Sequence, residues 1–170
     1  MIKQGISENQ ANLIYIGIGS NLGNRVNNIE IAKFLILAYG IKIIQCSSYY
    51  ETLSWPNQSN PKFLNVIISI KSKLDPESLL QIFKKIEKNL GRKKSKKNSP
   101  RECDIDIIDY KSGNFDGKLT IPHKLMHKRN FVLIPLYELD KNWIHPKSKM
   151  NIKKLIFSLK KKDITTIKKI

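Results

Sequence analysis

The chain has 170 residues, 41% of them hydrophobic, and a formal net charge of +17. That length suits one domain with a substantial core and is short for two. No apolar run reaches the roughly 18 residues that a membrane helix needs. The N-terminus, MIKQGISENQANL, has neither an apolar h-region nor a small-residue cleavage site, so a cytoplasmic location is the expectation. Cys46 and Cys103 are the only cysteines, which argues against a disulfide framework or a thiolate metal site. The charge raises a nucleic-acid alternative. Yet of 31 basic residues only Arg25, Arg92, Arg101 and Arg129 are arginine, and a lysine bias can run through a whole chain without marking a site. Those four are the places where a planar, bidentate guanidinium matters.

In chain order, NLIYIGIG (12–19) reads as a short buried strand ending in glycines. NNIEIAKFLILAYG (27–40) reads as a helix, with Asn27 and Glu30 as a capping pair and Gly40 at its end. IKIIQCSSYYET (41–52) returns as a strand, and a polar loop, LSWPNQSNPK (53–62), leads into the strand FLNVIISIKS (63–72). Asp75-Pro76 opens a second helix with Asp as N-cap; Leu79, Phe83, Ile86 and Leu90 form its apolar stripe and Gly91 closes it. RKKSKKNSPR (92–101) is a loop with six basic residues in ten. ECDIDIIDY (102–110) is a strand, KSGNFDGK (111–118) a turn, and the segment 120–139 begins extended and becomes helical from about Phe131. From Asn151 the tail carries seven lysines against one acid and is expected to form a final helix with a frayed end. The order β-α-β-β-α-β predicts a ferredoxin-like α+β sandwich, a mainly antiparallel sheet with helices packed on one face. No internal repeat or linker divides it, so residues 1–170 are read as a single domain.

Several stretches have the residue types that carry chemistry. GIGSNLGNR (17–25) is glycine-rich after a strand. It lacks the GK[ST] of a P-loop, and its GxGxxxG spacing is one residue too long for a dinucleotide fingerprint. It is a tight strand-to-helix turn whose glycines also permit close approach of a ligand. Asp104 and Asp106 share one strand face by the two-residue period, two like charges with no cation between them. The basic loop just before them would bring a polyanion close, and Mg²⁺ favours one or two carboxylates plus substrate phosphates. Together these point to phosphoryl transfer, with arginines on the equatorial oxygens. Cys103, Ile105 and Ile107 would then face the core. In IPHKLMHKR (121–129), Lys124 stands where a zinc helix needs glutamate, which leaves His123 as a hydrogen-bonding group near phosphate beside Arg129. His145 is read as structural. SSYYETLSWPNQSNPKFLN (47–65) combines aromatic residues with Asn65: either core packing, or a flat heteroaromatic ligand stacked on a ring and read at its edge by the amide.

As a set, GIGSNLGNR, SSYYET…FLN, the GR that opens the basic loop, PRxxDIDI and IPHxxxxxRxFVLxPLxE resemble the signature segments of the 6-hydroxymethyl-7,8-dihydropterin pyrophosphokinases of folate biosynthesis, over about residues 13–140. The resemblance implies transfer of a whole pyrophosphate from ATP to the pterin hydroxymethyl oxygen, releasing AMP, with two Mg²⁺ ions, on a ferredoxin-like fold. It implies Asp104 and Asp106 as magnesium ligands, with Arg92 and Arg101 as catalytic groups facing ATP phosphates. Glu87, Lys94, Ile107, Lys118, Thr120, His123 and Arg129 fall on the ATP side, with Ile107 offering its backbone to the adenine. Thr52, Leu53, Trp55, Phe63, Asn65 and Phe131 fall on the pterin side, Phe63 and Phe131 sandwiching the ring. This chain departs from the family pattern in a slightly shorter 92–101 loop without an aromatic residue, in Lys94 where a second loop arginine is usual, and in Lys124 after His123. The expected partners are the small-molecule substrates ATP and 6-hydroxymethyl-7,8-dihydropterin, and the reading expects a monomer with no membrane and no specific nucleic-acid binding. The alternatives are a basic ferredoxin-like nucleic-acid-binding module and a non-catalytic relative of the kinase.

Overall fold

A computed structural model of the chain describes residues 13–93, 96, 98–111, 113–116 and 119–170. Strand β1 (Ile14–Ser20) runs into helix α1 (Arg25–Ala38). The helix opens two residues before the expected position. Asn24 is its N-cap, its side chain accepting from the Asn27 N–H at 3.1 Å, so Asn27 receives the cap rather than supplying it. At the other end Gly40 has φ +74°, and the Ile41 N–H reaches the Ile36 carbonyl at 3.3 Å, a left-handed stop that favours glycine. The expected strand over 41–52 divides into β2 (Lys42–Cys46) and β3 (Tyr50–Thr52). The break has a local cause. The Ser47 hydroxyl accepts from the Ile67 N–H at 3.0 Å while the Ser47 N–H donates to the Ile67 carbonyl at 2.8 Å, so a side chain replaces one rung of the ladder.

Strand β4 (Phe63–Lys71) is the spine. It pairs antiparallel with β1, Ile14 opposite Ile70 and Ser20 opposite Leu64, and on its other edge with β2 and β3. Helix α2 (Pro76–Asn89) has Asp75 as its cap, accepting from the Glu77 and Ser78 N–H groups at 3.0 and 2.9 Å. It ends at Gly91, φ +100°. Strand β5 (Asp104–Tyr110) returns beside β1. A 3₁₀ turn (Met126–Lys128) precedes helix α3 (Asn130–Leu139), followed by two short helices, α4 (Ile152–Phe157) and α5 (Lys161–Thr165). The chain does not end in a frayed helix. It closes on a strand, β6 (Lys168–Lys169), which pairs with β3.

The strand order β5-β1-β4-β3-β6, with β2 beside β3 along β4 and antiparallel pairing throughout, is that of a ferredoxin-like α+β sandwich. Helices α1 and α2 cover one face, where Ile14, Ile16, Ile18, Ile68, Ile70, Ile105 and Ile107 meet Ile29, Ile36, Leu79, Phe83 and Ile86. Each such side chain contributes about 1.5–3 kcal/mol by leaving water. On the opposite face Tyr15, Ile67 and Ile108 pack under Met126, Leu133, Trp143, Ile152 and Leu155. That second cover is shorter than the sheet. It leaves the ends of β1, β4 and β5 open beside Arg129, and the cleft lies there. Among the described residues no helix is long and apolar enough to cross a membrane.

Candidate active site

Strand alternation places the key carboxylates. Cys103, Ile105 and Ile107 are buried in the helical face, so Asp104 and Asp106 project from the other side and line the cleft. Directly across the sheet stand Gly17 and Gly19. A Cβ on Gly19 would lie 3.1 Å from Asn65 Oδ1 and 3.3 Å from the Phe63 ring, so glycine here keeps the floor of the cleft low. Counting the solvent in its open mouth, the cleft has a volume of about 660 Å³.

The two carboxylates sit in different surroundings. Asp104 is held on both oxygens, by Arg92 Nη1 at 2.7 Å and by Arg101 Nη2 at 2.5 Å. Burial disfavours its charge, but Arg101 first and then Arg92 outweigh it, and the carboxyl lies below its ordinary value. Asp106 has a looser contact, Arg129 Nη1 at 3.6 Å. Burial, and then the charge of Asp104, hold it above the ordinary value. The cation expected between the aspartates is thus, for Asp104, a pair of arginines, and Asp106 is the carboxylate in need of positive charge.

The cations are presented with spare donors. Arg101 Nε and Arg129 Nε are buried and have no hydrogen-bond partner among the described residues. Arg101 also lies over the Phe63 ring at 5.1 Å, and Arg129 over Trp55 and Phe131 at 5.9 and 5.5 Å. His123 Nδ1 accepts from the Leu125 N–H at 3.2 Å, which assigns the proton of the neutral ring to Nε2. That atom lies 3.4 Å from Arg129 Nη1, so two donors converge where an anion would satisfy both. Burial holds the His123 pKa below its ordinary value.

The aromatic end of the cleft is built from β3, β4 and the start of α3. Thr52, Leu53, Trp55, Phe63, Asn65 and Phe131 all line it. Asn65 Nδ2 donates to Thr52 Oγ1 at 3.0 Å and to the Tyr50 carbonyl at 3.4 Å. A carbonyl only accepts, so the amide is oriented with Oδ1 turned toward Gly19 and the cleft. Asn21 was not singled out within the glycine-rich segment, yet it ties the walls together. It is buried, takes the Arg101 N–H on Oδ1 at 2.8 Å, and donates from Nδ2 to Ser54 Oγ and the Pro61 carbonyl at 3.3 and 3.1 Å. Asn98 also lines the cleft, its carbonyl accepting from Asn60 Nδ2 at 3.3 Å, so the basic loop touches the 53–62 loop.

Three expected ATP-side residues stand apart. Glu87 is buried on α2, bonding Arg92 Nη1 at 2.6 Å and the Ile105 N–H at 2.8 Å, so it supports Arg92 and the start of β5. The Ile107 side chain is in the core. Since the Ile105 N–H faces away from β1, alternation turns the Ile107 backbone to the same open edge. Thr120 is half-buried beside Ile121 and does not line the cleft. Lys94 and Lys118 lie outside the described residues. Arg25 bonds Glu51 and the Lys62 carbonyl, both at 3.0 Å, outside the cleft.

Fold and cleft together define a ferredoxin-like protein whose sheet end gathers two carboxylates and three guanidinium groups next to a flat aromatic pocket, the equipment of a phosphoryl-transfer enzyme. The family model for 7,8-dihydro-6-hydroxymethylpterin-pyrophosphokinase (HPPK) matches residues 15–141. The 2-amino-4-hydroxy-6-hydroxymethyldihydropteridine pyrophosphokinase of Aquifex aeolicus is 40% identical over 134 residues, covering 78% of this chain and 83% of its own. The protein of that name from Synechocystis is 35% identical over 144 residues, 83% of this chain and 73% of its own. A crystal structure of HPPK-DHPS in complex with substrates superposes with a TM-score of 0.67 at 18% identity, over 86% of this chain and 43% of that one, a likeness of fold. The chain belongs to the HPPK family.

Proposed function

We infer that this cleft transfers pyrophosphate from ATP to 6-hydroxymethyl-7,8-dihydropterin, giving the pterin diphosphate and AMP in folate biosynthesis. Membership of the HPPK family carries the reaction class: the chain is an ATP-dependent pyrophosphokinase. One observation supports the residue roles above all others. Asp104 and Asp106 face a cleft lined by Arg101 and Arg129 at one end, with Arg92 behind them on Asp104, and by Phe63, Asn65 and Phe131 at the other.

The donor set suits magnesium. Among the described residues no group of three or more His, Cys, Asp or Glu comes together, so the protein offers two carboxylates and no closed cage. Mg²⁺ takes such sites when substrate phosphates complete its shell. Asp106, raised by burial and by Asp104, is the carboxylate that gains most from a cation. In our reading Asp104 and Asp106 hold two Mg²⁺ ions, which when bound neutralise phosphate charge and polarise the attacking hydroxyl.

The chain's own groups then have separable tasks. Phe63 and Phe131 stack on the pterin and Asn65 Oδ1 accepts from its edge, with Thr52, Leu53 and Trp55 completing the pocket. Arg92 and Arg101 turn from Asp104 to the phosphates, so the groups that neutralise Asp104 also stabilise the transition state. His123 and Arg129 donate to the triphosphate, and the Ile107 backbone meets the adenine at the sheet edge. Glu87 acts by holding Arg92. The pterin oxygen attacks the β-phosphorus as its bond to the α,β-bridging oxygen breaks. The electron pair leaves with AMP, and the hydroxyl proton goes to solvent. Contact between the 92–101 and 53–62 loops at Asn98 and Asn60 would exclude water during the step. We also read residues 1–170 as a single cytoplasmic domain acting as a monomer.

The test is the purified chain with ATP, Mg²⁺ and the hydroxymethyl dihydropterin. One AMP per pterin diphosphate is the expected result. No AMP, with salt-sensitive binding to any polynucleotide, would favour the basic nucleic-acid module instead.

A further inference from the structure

The C-terminal segment lies beyond the family match at 15–141, yet it returns to the pterin half of the cleft at three points. First, β6 adds to the outer edge of β3, Lys168 opposite Glu51 and Lys169 opposite Tyr50, and the Ile170 N–H donates to the Tyr49 carbonyl at 3.0 Å. Strand β3 has only three residues, and both atoms that orient Asn65, Thr52 Oγ1 and the Tyr50 carbonyl, belong to it. Second, Lys169 Nζ bonds Glu138 Oε1 at 3.2 Å. Glu138 also receives the Tyr50 hydroxyl at 2.8 Å and the Ser48 hydroxyl at 2.7 Å, which fastens β3 to α3. Third, Asn130 Nδ2 donates to the Asp163 carbonyl of α5. Asn130 begins α3 between Arg129 and Phe131, and Lys162, Asp163 and Thr166 line a small cavity behind the cleft that shares Trp55, Arg129 and Phe131 with it.

We propose that residues 160–170 are a positioning segment for the pterin half of the site, holding the Asn65 amide through β3 and the Phe131 ring through Asn130. The proposal rests on the pterin reading given above. Without β6, β3 is a three-residue edge strand, and so short a strand depends on its neighbours for register. Among the described residues the segment makes no hydrogen bond or ion pair to an expected ATP-side group, and Arg129 only shares the small cavity with it, so its influence falls mainly on the pterin.

Two full-length variants separate this role from general stability. Lys168→Pro/Ile170→Pro removes the Ile170 donor and, by alternation, the Lys168 N–H facing β3. Asn130→Ser keeps a side-chain oxygen beside the Phe131 N–H, from which Asn130 Oδ1 accepts at 2.7 Å, adds no charge next to Arg129, and removes the amide donor to Asp163. For each, KM for the pterin and affinity for α,β-methylene-ATP with Mg²⁺ are measured beside the parent. A rise in pterin KM of about five- to tenfold is expected, the loss of one or two hydrogen bonds at the site's support, with analogue affinity unchanged. Unchanged pterin KM in both variants overturns the proposal, and so does an equal loss for both ligands. Parent chain that forms no AMP refutes the function itself, whereas active parent with indifferent variants refutes only the role of the tail.

Discussion

The two faces of the central sheet are made from the same strands and do opposite work. On the helical face, β1, β4 and β5 present isoleucines that α1 and α2 seal from water. On the other face the same strands present Gly17, Gly19, Asn65, Asp104 and Asp106 to an open cleft. Strand β5 shows the contrast residue by residue: Ile105 is wholly buried, whereas the Asp106 side chain keeps 36% of its surface. The helical face gains stability from each residue it buries. The other face does the same only under its own cover of Met126, Leu133 and Trp143; at the cleft it forgoes that gain, and Asp106 is held above its ordinary value by burial and by Asp104.

If the faces are truly divided in labour, substitutions should separate activity from stability. Arg101→Ala should lower kcat by about 10²–10³-fold, the usual effect of removing a preorganised group from a developing charge, with little change in Tm; steady-state AMP release measures it. Leu79→Ala, on the core face of α2, should do the reverse. It opens a cavity in the core for a cost of about 2–5 kcal/mol, read in a urea melt, and leaves kcat near normal at a temperature where the chain is folded. Phe131→Ala should raise KM for the pterin by about tenfold, since an aromatic stack is worth about 1–3 kcal/mol, and should leave ATP-analogue affinity alone. The smallest effect is chemical. Burial pushes the Cys103 thiol on the helical face up to about 12, while Cys46 is exposed. Burial raises the Cys46 thiol as well, but it alone is accessible, so one thiol per chain should react with a thiol reagent in the native protein and two after denaturation. Two fast thiols in the native protein would mean that the helical face is not sealed.

Much of this division could be read in the sequence, because a two-residue period declares both faces of a strand at once. DIDI separates carboxylates from isoleucines, and Asp75-Pro76 with Gly91 brackets α2 by backbone chemistry alone. What escaped the sequence depends on contacts between distant segments. The break between β2 and β3 needs Ser47 to meet Ile67. The arginine pair on Asp104 needs the basic loop to fold back over β5. Glu87 is read as an ATP-side residue from its place in the motif, while its bonds to Arg92 and Ile105 appear only when α2 lies on the sheet. Strand β6 is two lysines without any strand pattern, and only the edge of β3 and Glu138 make it one.

The central claim is that Asp106 holds metal against the transferring phosphate. Asp106→Asn keeps the size and polarity of the side chain and removes its charge, so AMP release at saturating Mg²⁺, ATP and pterin reads that charge directly. If Asp106 holds the metal, a proton competes with it for that carboxylate in the parent. Because its pKa lies above that of an ordinary aspartate, kcat/KM should fall as the pH drops through that raised value and recover above it. For Asp106→Asn the account predicts turnover lower by about 10²-fold or more with Tm unchanged. Turnover within about twofold of the parent would contradict it.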